Sequence, residues 1–171
     1  MRSVQVIIRV HDVDAAAAYE RVGAFNRYAE LSEVIRSVTS RQVNGTEEVS
    51  DWDVYFRNGI LSWSETDLFD RENLTITFEQ IDGDFAEFAG VWRLTADGQD
   101  CLVDFSAEFD FGIPSLAGIL DPVAERVFKE TIARVVISIF GGNASVVGDE
   151  AVARAVAEVT GAPATAVSGA R

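Results

Sequence analysis

From residue 33 to residue 111 the chain keeps an apolar/polar period of two, and that one feature decides most of the architecture. The alternation predicts six strands, at 34–43, 47–57, 60–69, 73–81, 85–95 and 101–111. Turn signals separate them: Asn44-Gly45, Asn58-Gly59, Asp70-Arg71-Glu72-Asn73, Asp82-Gly83 and Asp97-Gly98. Each connection is short, so strands adjacent in sequence pair antiparallel. The last strand is the plainest. Cys101, Val103, Phe105, Ala107, Phe109 and Phe111 fall on one face, and Leu102, Asp104, Ser106, Glu108 and Asp110 on the other. Such a strand has one side in a core and one in water.

The flanks complete the outline. Val4, Val6, Ile8 and Val10 alternate with Gln5 and Arg9 in a further half-buried strand, 3–10. Asp14 caps a helix that opens on Ala15–Ala18 and stops at Gly23, and a second short helix over 26–31 turns Tyr28 and Leu31 inward. Pro114 and Pro122 bracket a connection into a long helix, 122–140. Its apolar stripe is Ala124, Val127, Phe128, Thr131, Ile132, Val135, Val136 and Ile139; Glu125, Arg126, Lys129, Glu130 and Arg134 form the wet face, and Gly141-Gly142 ends it. The reading is one domain over 1–142, followed by an Ala/Val/Gly-rich tail over 143–171 with a short helix at 149–159 and disorder from Thr160. The expected fold class is α+β, a curved antiparallel sheet of about seven strands wrapped around one long C-terminal helix, with two short helices after the first strand. Such a sheet is wide for one helix to cover, and a cavity is expected where the two stand apart.

Composition removes many functions. Among 171 residues, 28 Asp and Glu face 14 Lys and Arg, a formal charge of −14, which opposes both nucleic acid and anionic lipid as partners. One cysteine, Cys101, and one histidine, His11, leave no disulfide framework, no multi-cysteine metal cluster and no material for a histidine-rich site. No metal and no cofactor is therefore expected. His11 is read as a loop residue and Cys101 as a small core residue. The amino-terminal apolar run is short, alternating and broken by Arg9, unlike a secretory signal, and no stretch reaches the ~18–20 apolar residues of a membrane span. The expected compartment is the cytoplasm. The Ala, Val, Asp and Arg bias, with a single lysine, looks like a GC-rich bacterium.

Segment 81–94, Ile-Asp-Gly-Asp-Phe-Ala-Glu-Phe-Ala-Gly-Val-Trp-Arg-Leu, resembles the G-x-F-x-x-(L/F)-x-G-x-W-x-(F/L) strand pair of the polyketide cyclase/dehydrase branch of the START-like (SRPBCC) superfamily. Within that branch it looks most like the coenzyme Q-binding proteins and the ribosome-association toxins. Segment 105–111 is similar to the family's last strand and 126–130 to the start of its long helix, so the likeness spans about residues 3–140. The resemblance implies the helix-grip fold and an internal cavity. In the motif, Asp82-Gly83 suits a tight turn, and Gly90 lets a backbone or a ligand come close to Trp92.

On such a sheet the inward aromatics form a candidate lining for a flat or polyprenyl-like ligand: Trp52, Phe56, Trp63, Phe78, Phe88, Trp92, Phe105 and Phe109, with Phe128 from the helix. Each alone is better read as an ordinary core residue; it is together that they point to a lining. The strand that carries Leu61, Trp63 and Phe69 also carries Glu65 and Asp67 at the same parity. Either both carboxyls enter the apolar interior, as candidate general acid and base with raised pKa, or a bulge turns both outward. Arg57, beside the Asn58-Gly59 turn, is the cation placed to pair with Glu65 at a pocket rim, and Tyr28 is placed to donate to a ligand carbonyl. Tyr55 alternates away from Trp52 and faces solvent.

Three functions stay open. The first is a binding module for a hydrophobic small molecule of polyketide, quinone or polyprenyl type. The second is an aromatase/cyclase that promotes aldol closure and dehydration of a poly-β-ketone, presented by an acyl carrier protein, with Glu65, Asp67, Tyr28 and Arg57 as catalytic candidates. Asp67 stands about where the resemblance puts the aromatases' pocket arginine, so their mechanism does not transfer directly. The third, an interaction protein like the toxins, is disfavoured by the charge. The assembly expected is a monomer or homodimer.

Overall fold

The computed structural model describes residues 1–157. Strand β1 (Arg2–Val10) sends Val4, Val6, Ile8 and Val10 into the core. Helix α1 (Ala15–Val22) opens where the Asp14 carboxylate accepts from the Ala17 N–H at 3.0 Å, and it stops at Gly23. The second short helix is a 3-10 turn, Phe25–Glu30, that buries Phe25 and Tyr28. The meander follows: β2 (Ile35–Gln42), β3 (Glu47–Phe56), β4 (Gly59–Asp70), β5 (Thr75–Gly83), β6 (Glu87–Asp97) and β7 (Asp100–Asp110). A 3-10 turn at Pro114–Leu116 leads into α2 (Ala117–Ile139).

One strand more than expected completes the sheet. Strand β8 (Ala144–Val147) pairs with β1 from Ile7 to Val10, which gives eight strands in the order β2-β3-β4-β5-β6-β7-β1-β8, every pairing antiparallel. The fold therefore runs past Gly142: β8 extends the sheet, and helical turns at 150–157 bury Val152 and Val156 against the core. Val159 and the expected disorder from Thr160 lie outside the described residues. Lys129 fastens this last part, bridging Glu125 at 3.1 Å and Asp149 at 3.2 Å, while Arg2 reaches Glu125 at 2.7 Å.

Three further boundaries depart from the sequence reading. Helix α2 starts at Ala117, ahead of Pro122. Pro122 lies on the exposed flank, where the carbonyl it leaves unpaired, that of Gly118, is open to water. The β3–β4 turn is Arg57-Asn58, with Arg57 itself at φ +55°, one residue earlier than the Asn-Gly signal indicates. Gly83 ends β5 instead of making a turn; a Cβ on it would lie 2.5 Å from the Trp63 Cα. The turn that follows is 84–86. There the Gln80 amide substitutes for strand pairing, donating to the Phe85 carbonyl at 2.9 Å and accepting from its N–H at 3.2 Å, and the Phe85 ring is held inside.

The two faces of the sheet differ in chemistry. On the outer face Asp51 accepts from Thr39 and Ser64, and Asp53 from Ser37 and Ser62, so the hydroxyls of β2 and β4 satisfy a row of carboxylates on β3. The inner face is apolar and aromatic. Gly90 is where that face needs no side chain: a Cβ there would sit 2.4 Å from the Ser106 carbonyl oxygen and 2.6 Å from Phe78 Cζ. The neighbour admitted by this glycine is the Phe78 ring.

Candidate functional site

The site is assembled by strand register. Trp52 of β3 lies opposite Trp63 of β4, and their rings stack at 5.9 Å, 3° from parallel. Trp92 of β6 lies opposite Phe105 of β7 and meets it edge-on at 4.8 Å. Phe78, in the notch over Gly90, stacks on Phe105 at 5.7 Å. From α2, Phe128 reaches Phe88 at 5.4 Å. Between these walls remains a chamber of about 60 Å³.

Trp52, Trp63, Phe78, Phe88, Trp92 and Phe105 from the sheet and Phe128 from α2 line it. Phe56 and Phe109 do not. Phe56 stacks on Phe111, and Phe109 packs between Phe85, Phe111 and Phe128, so both belong to the core beyond the chamber. Tyr28, Ile35, Val54, Glu65, Val127, Thr131 and Ile132 complete the lining. All three tryptophans of the chain are in this wall.

Glu65 and Asp67 face inward. Their residues are 4% and 0% exposed, and Glu65 lines the chamber. A register shift does occur beside them, between Ser64 and Glu65, but the extra residue is on β5: Ile81 is pushed out to solvent and β4 keeps its parity. The Trp63 Nε1–H donates to Glu65 Oε1 at 2.7 Å. Asp67 Oδ2 accepts from the Ser50 hydroxyl at 2.5 Å, and Ser50 Oγ in turn accepts from Trp52 Nε1–H at 2.8 Å. Among the described residues neither carboxyl has an ion-pair partner, and Asp67 Oδ1 meets no fixed donor.

Protons take the place of a cation. Burial pushes Glu65 well above the usual carboxylate range, and hydrogen bonding to Asp67 together with the Asp67 charge adds to the rise; the Trp63 N–H opposes it. Asp67 is raised less, because burial is offset by the hydrogen bonds from Glu65 and Ser50. A neutral Glu65 is thus a second donor to Asp67, beside Ser50, and the two carboxyls titrate as one unit. Across the chamber, on α2, the buried Thr131 hydroxyl has no hydrogen-bond partner among the described residues.

The other two catalytic candidates are placed differently. Arg57 is exposed in its turn, and among the described residues it makes no ion pair and no cation pairs with Glu65. Tyr28 does line the chamber, but its hydroxyl proton is committed to the Val22 carbonyl, and burial, with the nearby Asp67 charge, keeps the phenol well above its ordinary pKa. Parity could have found Ser50, two residues before Trp52 on the same face. Nothing in the sequence indicated that Thr131, read as part of an apolar stripe, leaves its hydroxyl free. Among the described residues no group of three or more His, Cys, Asp or Glu is placed to hold a metal ion, and no helix is long and apolar enough to cross a membrane.

Solved structures share this architecture. The protein TTHA0849 from Thermus thermophilus superposes with a TM-score of 0.74 at 18% identity, over 82% of this chain and 96% of that one. The Zhui aromatase/cyclase from Streptomyces sp. R1128 gives 0.70 at 17%, over 81% and 93%. A START superfamily protein from Mycobacterium smegmatis gives 0.64 at 15%, over 82% and 96%. At these identities the likeness is one of fold. No curated protein matches the chain by sequence. A sequence family does match, and it covers residues 12–136, from the loop before α1 to the last turn of α2. With the helix-grip sheet around the aromatic chamber, that match places the chain in the polyketide cyclase/dehydrase and lipid transport family.

Proposed function

We propose that the chain binds a hydrophobic small molecule of polyketide, quinone or polyprenyl type in the aromatic chamber. The observation that supports this most is the make-up of the wall: aromatic rings and a few aliphatic side chains, interrupted on the sheet by the Glu65 carboxyl and on α2 by the Thr131 hydroxyl, which has no hydrogen-bond partner among the described residues. A ligand with an oxygen at each end of a flat apolar body satisfies both. At about 60 Å³ the chamber as it stands has room for a few waters, so a ligand of that class is admitted only as the walls move. The half-buried rings of Trp52 and Phe128 are the least confined of them. Native mass spectrometry of freshly purified protein, followed by organic extraction, tests the reading. A retained apolar molecule with conjugated absorbance is expected, and a chain that is always empty when made in its native host would refute it.

The buried carboxyl pair favours a second reading, catalysis of aldol closure. Glu65 would take a proton from the carbon between two carbonyls as its own proton passes to Asp67. The enolate then attacks a second carbonyl, the new carbon–carbon bond forms, and the reverse relay returns the proton to the alkoxide before water is lost. Turnover of a poly-β-ketone thioester that Glu65→Gln abolishes would support this reading; turnover that persists in the variant would remove it.

A further inference from the structure

A groove of about 340 Å³ runs along the surface between α1, the first 3-10 turn and the end of α2. It shares one residue with the chamber, Tyr28, which is 1% exposed and stands between the two. The ring is held by the Val22 carbonyl and edge-on by Phe25 at 5.4 Å and Trp52 at 5.7 Å.

The charged residues of the groove are Glu20, Arg21 and Arg27. Glu20 is occupied by Arg71 at 3.3 Å. Arg21 is anchored from behind, donating to the Ile139 carbonyl and lying 4.6 Å over the Phe140 ring, and among the described residues no carboxylate neutralises it. Arg27 is exposed and has neither ion pair nor side-chain hydrogen bond among the described residues. Two guanidinium groups without a carboxylate partner among the described residues thus line the groove that Tyr28 shares with the chamber, on a chain of net charge −14. Inside, the Glu65–Asp67 pair with no cation repels an anion.

We propose that this groove seats the anionic group of an amphipathic ligand, held by Arg21 and Arg27, while the apolar part of the same ligand reaches the chamber past the Tyr28 ring. This rests on the chamber being a ligand site. The charge pattern fixes the orientation, with the carboxylate, phosphate or sulfonate outside and the apolar body within. Arginine suits the task because its planar donors engage two oxygens of one anion.

Two fluorescent probes with one ring skeleton test it: N-phenyl-1-naphthylamine, which is neutral, and its sulfonate, 8-anilino-1-naphthalenesulfonate. Overall charge disfavours the sulfonate. The proposal expects the reverse, a sulfonate bound about fivefold more tightly by the full chain, with the two probes competing. Arg27→Gln should bring the two affinities within about twofold and leave the neutral probe unchanged, whereas Arg126→Gln, on the wet face of α2, should leave the preference intact. A preference that is absent, or that survives Arg27→Gln, overturns the anion seat while the chamber stands. Probes that bind without competing overturn the link through Tyr28. If the neutral probe does not bind at all, the chamber reading falls and this inference with it.

Discussion

Replacing Glu65 with Gln removes a proton site and almost nothing else. The Gln amide oxygen can still accept from Trp63 Nε1–H, and its NH₂ can donate to Asp67, which lacks a fixed donor on Oδ1. Both chains should therefore fold, and they should differ in how stability depends on pH. In the unfolded chain a glutamate titrates near ~4.3. In the folded protein Glu65 keeps its proton well above that. Below ~4.3 both states are protonated and pH has no leverage through this group. Between that value and the folded pKa the native state holds one proton more than the unfolded state, so stability falls as pH rises, by at most about 1.4 kcal/mol per pH unit. For a chain of this size about 1 kcal/mol moves Tm by roughly 2–4 °C, so the wild type should lose roughly 3–5 °C per pH unit relative to Glu65→Gln across the window. Self-repulsion at net charge −14 has the same sign, but it is common to both chains and cancels in the difference. Scanning calorimetry from about pH 5 to about pH 8 at fixed ionic strength measures it. Parallel Tm curves for the two proteins would show that Glu65 is ionised in the fold and would refute the shared-proton account.

Two more outcomes follow from the packing. Gly90→Ala places a methyl 2.4 Å from the Ser106 carbonyl oxygen and 2.6 Å from Phe78 Cζ, and should cost about 1–3 kcal/mol in denaturant unfolding, partly recovered by Phe78→Leu; a wild-type midpoint would show that the notch is looser than drawn. Lys129→Met removes the bridges to Glu125 and Asp149 and should cost about 1 kcal/mol, with amide exchange in 150–157 accelerated while that of β6 and β7 is unchanged.

The meander was legible because each strand has one wet face, and the period of two survives wherever that holds. It placed Trp52, Trp63 and Trp92 on the inner face of the sheet, and the fold implied by the resemblance made that face a candidate lining. It could not decide Glu65 and Asp67, where alternation says inward and the cost of burying charge says outward. What decided it lies on another strand, in the extra residue Ile81, and in donors, Trp63 Nε1 and Ser50 Oγ, that parity alone does not pair with acceptors. Strand β8 was missed because four residues carry too little period to be read, and its pairing with β1 comes from proximity in space. Arg57 was misjudged because a turn one residue early gives it a left-handed backbone and aims it at water. Phe56 and Phe109 have the right parity, but the sheet curves, and parity does not say how far along the inner face a cavity extends.

A ribosome delivers β1 first, yet both neighbours of β1 in the sheet come late: Arg2 lies opposite Phe109, and Ile7 opposite Val147. Strands β2 to β7 can form as successive hairpins, each closing a short loop, while the apolar face of β1 waits with nothing to cover it. Insertion of β1 between β7 and β8 closes the longest loop in the molecule and is the step expected to set the folding rate. Until then β7 presents a bare edge, and the segment best matched to it is β1, whether from its own chain or from a neighbouring copy still being made.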